Sequence, residues 1–240
     1  MNADHGSTHL IQPPNPLLIL GTDAAGKNHI ANFIAAMLES SGFKAEKREG
    51  GFSTPVTDAV SSEDKGPLAL LKERVFLLTF PLSKYILPFL ITFLIITDLK
   101  KHASSEKISI IISHTPIRVL TFYLGHIFKK EKDIRLPLFL EKALKAIQPE
   151  TRARTIVLDI NDTVRKDRIA KRTRSGKVDC FDQNMAKDGV RSERIESFLV
   201  WIGAKYLDTV KIDNNDLTDD ELKIEIRQAF KEFQKDEFME

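Results

Sequence analysis

The chain of 240 residues has a single cysteine, Cys180, which excludes an internal disulfide framework and a multi-cysteine zinc site. It has no surplus of one charge. Lys and Arg number 36 against 34 Asp and Glu, a formal net charge of +2, too balanced for a dedicated nucleic-acid surface. Its basic stretches lack the interleaved aromatics on which single-stranded bases stack, so no nucleic-acid partner is expected. Residues 1–9 have neither the basic start nor the apolar run of a signal peptide, and the expected location is cytoplasmic. The sequence has no internal repeat and no low-complexity block, and its length points to one large domain with an ample core.

Residues 1–16 are polar and end in Pro13, Pro14 and Pro16. Such a stretch cannot repay its ordering entropy and is read as a disordered N-terminal tail, with the folded domain over 17–240. Short continuous apolar runs at 17–20, 108–112, 155–160 and 209–212 mark strands buried on both faces. Helical spacing follows at 30–38, 117–128, 136–147, 164–172, 195–206 and 219–233. Strands alternating with helices predict an α/β fold, a parallel sheet covered by helices on both faces.

Residues 75–99 are nearly all apolar, interrupted by Pro81, Lys84 and Pro88. At about 25 residues the run is long enough to span a bilayer. Strand patterns continue on both sides, however, and both flanks are basic, so no orientation is specified. The run is read as a pair of buried helices broken near Pro81 or Pro88, one face offering a homodimer interface, with peripheral membrane contact as the alternative.

The first strand runs into Gly21-Thr22-Asp23-Ala24-Ala25-Gly26-Lys27-Asn28. Gly-x4-Gly-Lys between a strand and a helix is the pattern of a phosphate-binding loop. Small residues let the backbone amides wrap an anion, the helix start faces it, and Lys27 reaches the outer phosphates as a point charge. Asn28 stands where a Ser or Thr hydroxyl ordinarily holds Mg²⁺. Residues 165–177 carry Arg165, Lys166, Arg168, Lys171, Arg172, Arg174 and Lys177. Alone such a run is a solvated helix face. Beside a phosphate loop it is read as a basic lid that neutralises a transferred phosphoryl group.

These motifs resemble the thymidylate kinase family of nucleoside-monophosphate kinases, of the P-loop NTP hydrolase fold type. Residues 21–27 look like that family's Gly-x-Asp-Gly-x-Gly-Lys. Lys47-Arg48-Glu49-Gly50-Gly51 is similar to Thr-Arg-Glu-Pro-Gly-Gly without its proline. Residues 155–160 look like the strand before the family's lid, and Arg168, Arg172, Asp179 and Phe181 resemble the lid's Arg-x3-Arg…Asp-x-Phe. The resemblance implies an ATP-dependent transfer of the γ-phosphate to a nucleoside monophosphate, dTMP or a related acceptor. It implies nucleotide binding by Gly21, Thr22, Asp23, Ala24, Ala25, Gly26, Lys27 and Asn28. Lys27, Arg168, Arg172 and Arg174 would be catalytic, and Asp23 and Arg48 would hold the acceptor.

ATP and Mg²⁺ are the implied cofactors, with Asp23, Glu49 and Asp159 as the remaining candidate ligands for the metal, none in the family's usual place. The family's aspartate after the third strand is replaced by Ser113, followed by His114-Thr115-Pro116, so both usual metal positions differ. Arg118 and His114 are the alternative groups for an anionic acceptor, although a histidine at a strand end is more commonly a hydrogen-bonded structural group. The second reading of the chain is a catalytically weakened nucleotide-binding protein that docks a partner or a membrane surface through its apolar middle.

Overall fold

The computed structural model describes residues 13–53, 85–102, 106–175 and 188–237. Strands β1 (Leu17–Gly21), β2 (Ala45–Glu49), β3 (Ile108–Ile112), β4 (Arg154–Asp159) and β5 (Asp208–Asp213) form one sheet in the order β2-β3-β1-β4-β5. Every pairing is parallel. The helices among the described residues are α1 (Lys27–Ser40), α2 (Leu87–Lys101), α3 (Thr115–Ile127), α4 (Leu138–Thr151), α5 (Asp162–Arg174), α6 (Gly189–Tyr206) and α7 (Asp219–Glu237).

Side chains alternate across the sheet and so split the core in two. Leu18, Leu20, Ile111 and Val157 pack against α2, α3, α4 and α6. Leu17, Ile19, Ile110, Ile156 and Leu158 pack against α1 and α7 on the other face. A fully buried Leu or Ile contributes about 1.5–3 kcal/mol, so the two layers hold the central strands firmly. The α/β class, with helices on both faces of a parallel sheet, is as the sequence predicts.

The chain leaves β1 for α1 on one face and leaves β3 for α3 on the other. The carboxyl ends of these adjacent strands therefore flank a topological switch point, where an open parallel sheet leaves a crevice.

Two differences from the sequence reading have physical causes. β2, with sequence Ala-Glu-Lys-Arg-Glu, is an edge strand and carries no apolar run to mark it. A helix boundary does lie near Pro88, which sits in the first turn of α2, where its missing N–H costs nothing. α2 is also not wholly buried: Leu87, Ile91 and Ile95 face the core, while Ile86, Phe89 and Phe93 are more than 60% exposed. Residues 75–84 of the apolar run lie outside the described residues. No helix among the described residues is long and apolar enough to cross a membrane.

Of the stretch read as a tail, 1–12 lie outside the described residues. Asn15 bonds to β3: its Nδ2 donates to Lys107 O and its Oδ1 accepts from Ser109 N. Pro16 O accepts from Arg154 N.

Candidate functional site

The loop between β1 and α1 ends in a left-handed glycine at a helix start that no side chain caps. Gly26 caps α1 with φ 85°, a left-handed conformation open to glycine, and a Cβ there would meet Asn214 Nδ2 at 2.8 Å. Ala24 takes φ 64° although it is not glycine; it stands where the resembling motif has one. The α1 N-terminus has no side-chain cap and no acid in its first turn, so its positive end is left for a ligand. Lys27 arches back over the loop, its Nζ donating to Gly21 O at 3.0 Å and Thr22 O at 2.7 Å. Asn28 is exposed in the first turn of α1.

Two residues from the far side of the sheet brace this loop. Asn214, just beyond β5, donates from Nδ2 to Ala25 O at 2.6 Å, while its own N–H bonds Asp159 O. Arg168 on α5 donates to Asn214 O at 2.9 Å and reaches Ala24 O at 3.5 Å. The structure thus brings Arg168 to the loop. Arg172 lies one turn further along the same face of α5 and is exposed. Arg174 is also exposed, but at about 100° per residue it points well away from the Arg168 face.

Arg165 does not belong to a lid. It is 1% exposed, and its guanidinium lies between Asp162 and Glu196, with Nη1 3.0 Å from Glu196 Oε2. Burial raises the Glu196 pKa to about 7 against the opposing effect of Arg165. Burial of Arg165 fixes the start of α5 to α6, so this end of the basic run is structural. Residues 176–187, with Lys177, Asp179, Cys180 and Phe181, lie outside the described residues.

Between the loop and α3, at the switch point, is a cavity of about 160 Å³. Leu20, Val119, Phe122, Ile195 and Leu199 give it an apolar wall, and Thr22, Asp23, His114 and Arg118 its polar one. Asp23 is engaged by Arg118, whose Nη2 lies 2.8 and 2.9 Å from the two carboxylate oxygens. Arg48 does not line this cavity. Its guanidinium bonds Glu46 Oε1 and Phe52 O, so it braces the turn after β2.

Behind the cavity, Asp98 from α2 accepts four hydrogen bonds: from Phe52 N, Ser53 N, Ser53 Oγ and His114 Nε2, the last at 3.0 Å. Burial works to raise its pKa, but the bonds from His114, Ser53 and Phe52 outweigh it and hold the carboxyl far below the usual range. His114 is 1% exposed, and among the described residues neither its Nδ1 nor the buried Thr22 Oγ1 meets a hydrogen-bond partner. Asp98 and Asn214 escaped sequence reasoning. The signal for Asp98 was a lone carboxylate within an apolar helix, which is seldom buried without a partner; for Asn214 it was the Asp213-Asn214-Asn215 run ending the last strand.

Mg²⁺ at a phosphate-binding loop is ordinarily shared with the bound phosphates and water, so it calls for few protein ligands. No group of three His, Cys, Asp or Glu among the described residues could hold a metal. The family's aspartate position after β3 is occupied by Ser113 in a left-handed conformation at φ 58°. Asp159 is paired with Lys211.

No protein-family model matches the sequence, and no curated protein matches it. Among solved structures, the chain is similar to a gluconokinase from Sinorhizobium meliloti 1021, with a TM-score of 0.46 and 11% identity over 95% of this chain and 98% of that one. It is also similar to thymidylate kinase from Candida albicans, with a TM-score of 0.47 and 13% identity over 92% of this chain and 93% of that one.

Proposed function

We propose that the chain is a phosphotransferase that binds a nucleoside triphosphate, ATP in the first instance, on the loop of residues 21–28. The observation that carries this reading is the loop itself. It has a left-handed Gly26 at an uncapped helix start, Lys27 arched across it, and Arg168 reaching it from α5. Lys27 and the amides at the α1 start hold the donor phosphates, and Arg168 and Arg172 neutralise charge on the group in transit. Arg174 has no part in this scheme. The acceptor occupies the adjacent cavity. A nucleoside monophosphate is the acceptor the resemblance implies, but Asp23 and Arg48, which would hold it, are both engaged by protein groups.

The exposed face of α2 favours one element of the second reading, a nucleotide-binding chain that docks a partner or a membrane surface. Calorimetry with ATP on the wild type and on Lys27→Ala tests the common step. Loss of binding in the variant is expected; equal affinity in both proteins overturns nucleotide binding by this loop.

A further inference from the structure

We propose that the phosphate acceptor is an alcohol on a small, largely apolar molecule, and that His114, positioned by Asp98, is the general base that takes the hydroxyl proton. The inference rests on the phosphotransferase reading above and names its substrate class. An ionised carboxylate only accepts hydrogen bonds, so the 3.0 Å contact to Asp98 Oδ2 places a proton on His114 Nε2. In the neutral ring Nδ1 is then a lone-pair acceptor. That atom is buried without a partner, in a residue lining the cavity beside the phosphate loop. A buried polar atom left unpaired in a native fold calls for an explanation, and a ligand hydroxyl supplies one. Thr22 Oγ1, unpaired in the same wall, offers a second hydrogen bond to such a ligand.

Phosphate and alcohol acceptors make different demands. The oxygen of a phosphate monoester dianion carries no proton and needs no base, and a buried lone pair would repel it. A hydroxyl must lose its proton as it attacks, and a base within reach accelerates that step by about 10²–10⁴-fold. The arrangement here is a carboxylate, an imidazole whose tautomer it fixes, and a second imidazole nitrogen unpaired among the described residues. The charged groups around the ring are Asp98 from α2, Asp23 and Arg118 at the cavity wall, and Arg48 behind Phe52, whose ring centroid lies 5.1 Å from that of His114.

In the step itself, the acceptor O–H proton passes to His114 Nδ1 as the oxygen forms a bond to the γ-phosphorus. The bond from that phosphorus to the β,γ-bridging oxygen breaks, and its electron pair leaves with ADP. The imidazolium, held beside the Asp98 carboxylate, then releases its proton to solvent. His114 is the catalytic residue and Asp98 a positioning residue.

The cavity's size and walls guide the choice of probe. An apolar cavity of about 150 Å³ accepts benzene, so benzyl alcohol is a matched hydroxyl acceptor and benzyl phosphate its phosphate counterpart. Transfer from [γ-³²P]ATP is measured to each, and to water as slow hydrolysis, with the wild type and with His114→Gln, whose amide keeps a donor toward Asp98 but has no base at the Nδ1 position. Expected is transfer to benzyl alcohol but not to benzyl phosphate, with transfer and hydrolysis about 100-fold lower in the variant and ATP affinity unchanged. Imidazole added to His114→Ala should restore rate in proportion to the basicity of the ring used, which a purely structural histidine would not show. Preferred transfer to benzyl phosphate, an undiminished rate in His114→Gln, or ATP bound but neither hydrolysed nor transferred each overturns this inference alone. Failure of the wild type to bind ATP overturns the phosphotransferase reading with it.

Discussion

A single guanidinium nitrogen of Arg118 straddles the Asp23 carboxylate, at 2.8 and 2.9 Å from its two oxygens. Asp23 sits inside the phosphate loop, so its negative charge would oppose a bound triphosphate if it were left uncompensated. Arg118 on α3 cancels that charge from across the cavity. Arg118→Ala should therefore weaken ATP binding by about three- to tenfold, the worth of about 1 kcal/mol of exposed-pair electrostatics. The double variant Asp23→Asn, Arg118→Ala should recover most of the loss. Calorimetry on the four proteins of this cycle tests the coupling; additive losses would show that the two side chains act independently.

Ala24 is held at φ 64°, where its Cβ costs about 1 kcal/mol that glycine avoids. Glycine loses more backbone entropy on folding, which offsets part of the gain. Ala24→Gly should stabilise the chain by about 0.5 kcal/mol, and Ala24→Val, branched at Cβ, should destabilise it by more than that. Urea midpoints at constant m-value measure both.

The central strands and the turn between β1 and α1 were legible because each has a strong local signature. β1, β3 and β4 are each rich in Leu, Ile and Val, and Gly21, Gly26 and Lys27 stand at a fixed spacing. What was not legible depends on contacts distant in sequence. Arg165 and Arg168 belong to one basic run, yet the first is buried on Glu196 and the second reaches the loop; only the packing of α5 separates them. Arg48 matches its motif but is taken up by Glu46 and Phe52 O. Asp98, in a helix that reads as uniformly apolar, joins α2 to the turn after β2 and to the start of α3.

That junction makes Asp98 costly to replace. Asp98→Ala removes four hydrogen bonds and leaves the N–H groups of Phe52 and Ser53 unpaired, a loss of about 3 kcal/mol or more. Gly51→Ala should act on the same joint from the other side, because a Cβ at Gly51 would lie 2.8 Å from Asp98 Oδ1. Both variants should lower the urea midpoint. Tolerance of Gly51→Ala without loss would mean that the turn shifts freely and Asp98 does not fix it.

Asn214 connects the end of β5 to the phosphate loop, through Ala25 O and by close approach to Gly26. Asn214→Ala removes a buried hydrogen bond worth about 1 kcal/mol and leaves Ala25 O unpaired. The loop then loses preorganisation for its anion, and ATP affinity should fall by about fivefold to tenfold. Unchanged affinity, measured by calorimetry on a variant whose melting temperature is retained, would show that the loop holds its shape without this brace.

Glu196 contributes a pH dependence of stability near neutrality. Burial raises its pKa from 4.5 to about 7, Arg165 and the Ile160 N–H work against that rise, and Asp159 and Asp162 add to it. A carboxyl that resists ionisation in the folded state favours folding below pH 4.5, where it is protonated in both states. As pH climbs to about 7 the unfolded chain ionises first, and this contribution is lost at up to about 1.4 kcal/mol per pH unit, on the order of 3 kcal/mol in all. Asp98, Asp162 and Glu46 are shifted the other way, so their contributions disappear at lower pH. His102 and His126, whose pKa values burial and nearby arginines lower, gain stability as pH rises through the same window and oppose Glu196; comparison with a Glu196 variant cancels their part. Glu196→Gln changes the baseline by disturbing the Arg165 pair, but it removes the titration. The difference in unfolding free energy between about pH 5 and pH 7.5 should shrink in the variant by most of that amount. An identical difference in both proteins would mean that Glu196 stays ionised against Arg165 throughout, and that burial does not govern its proton.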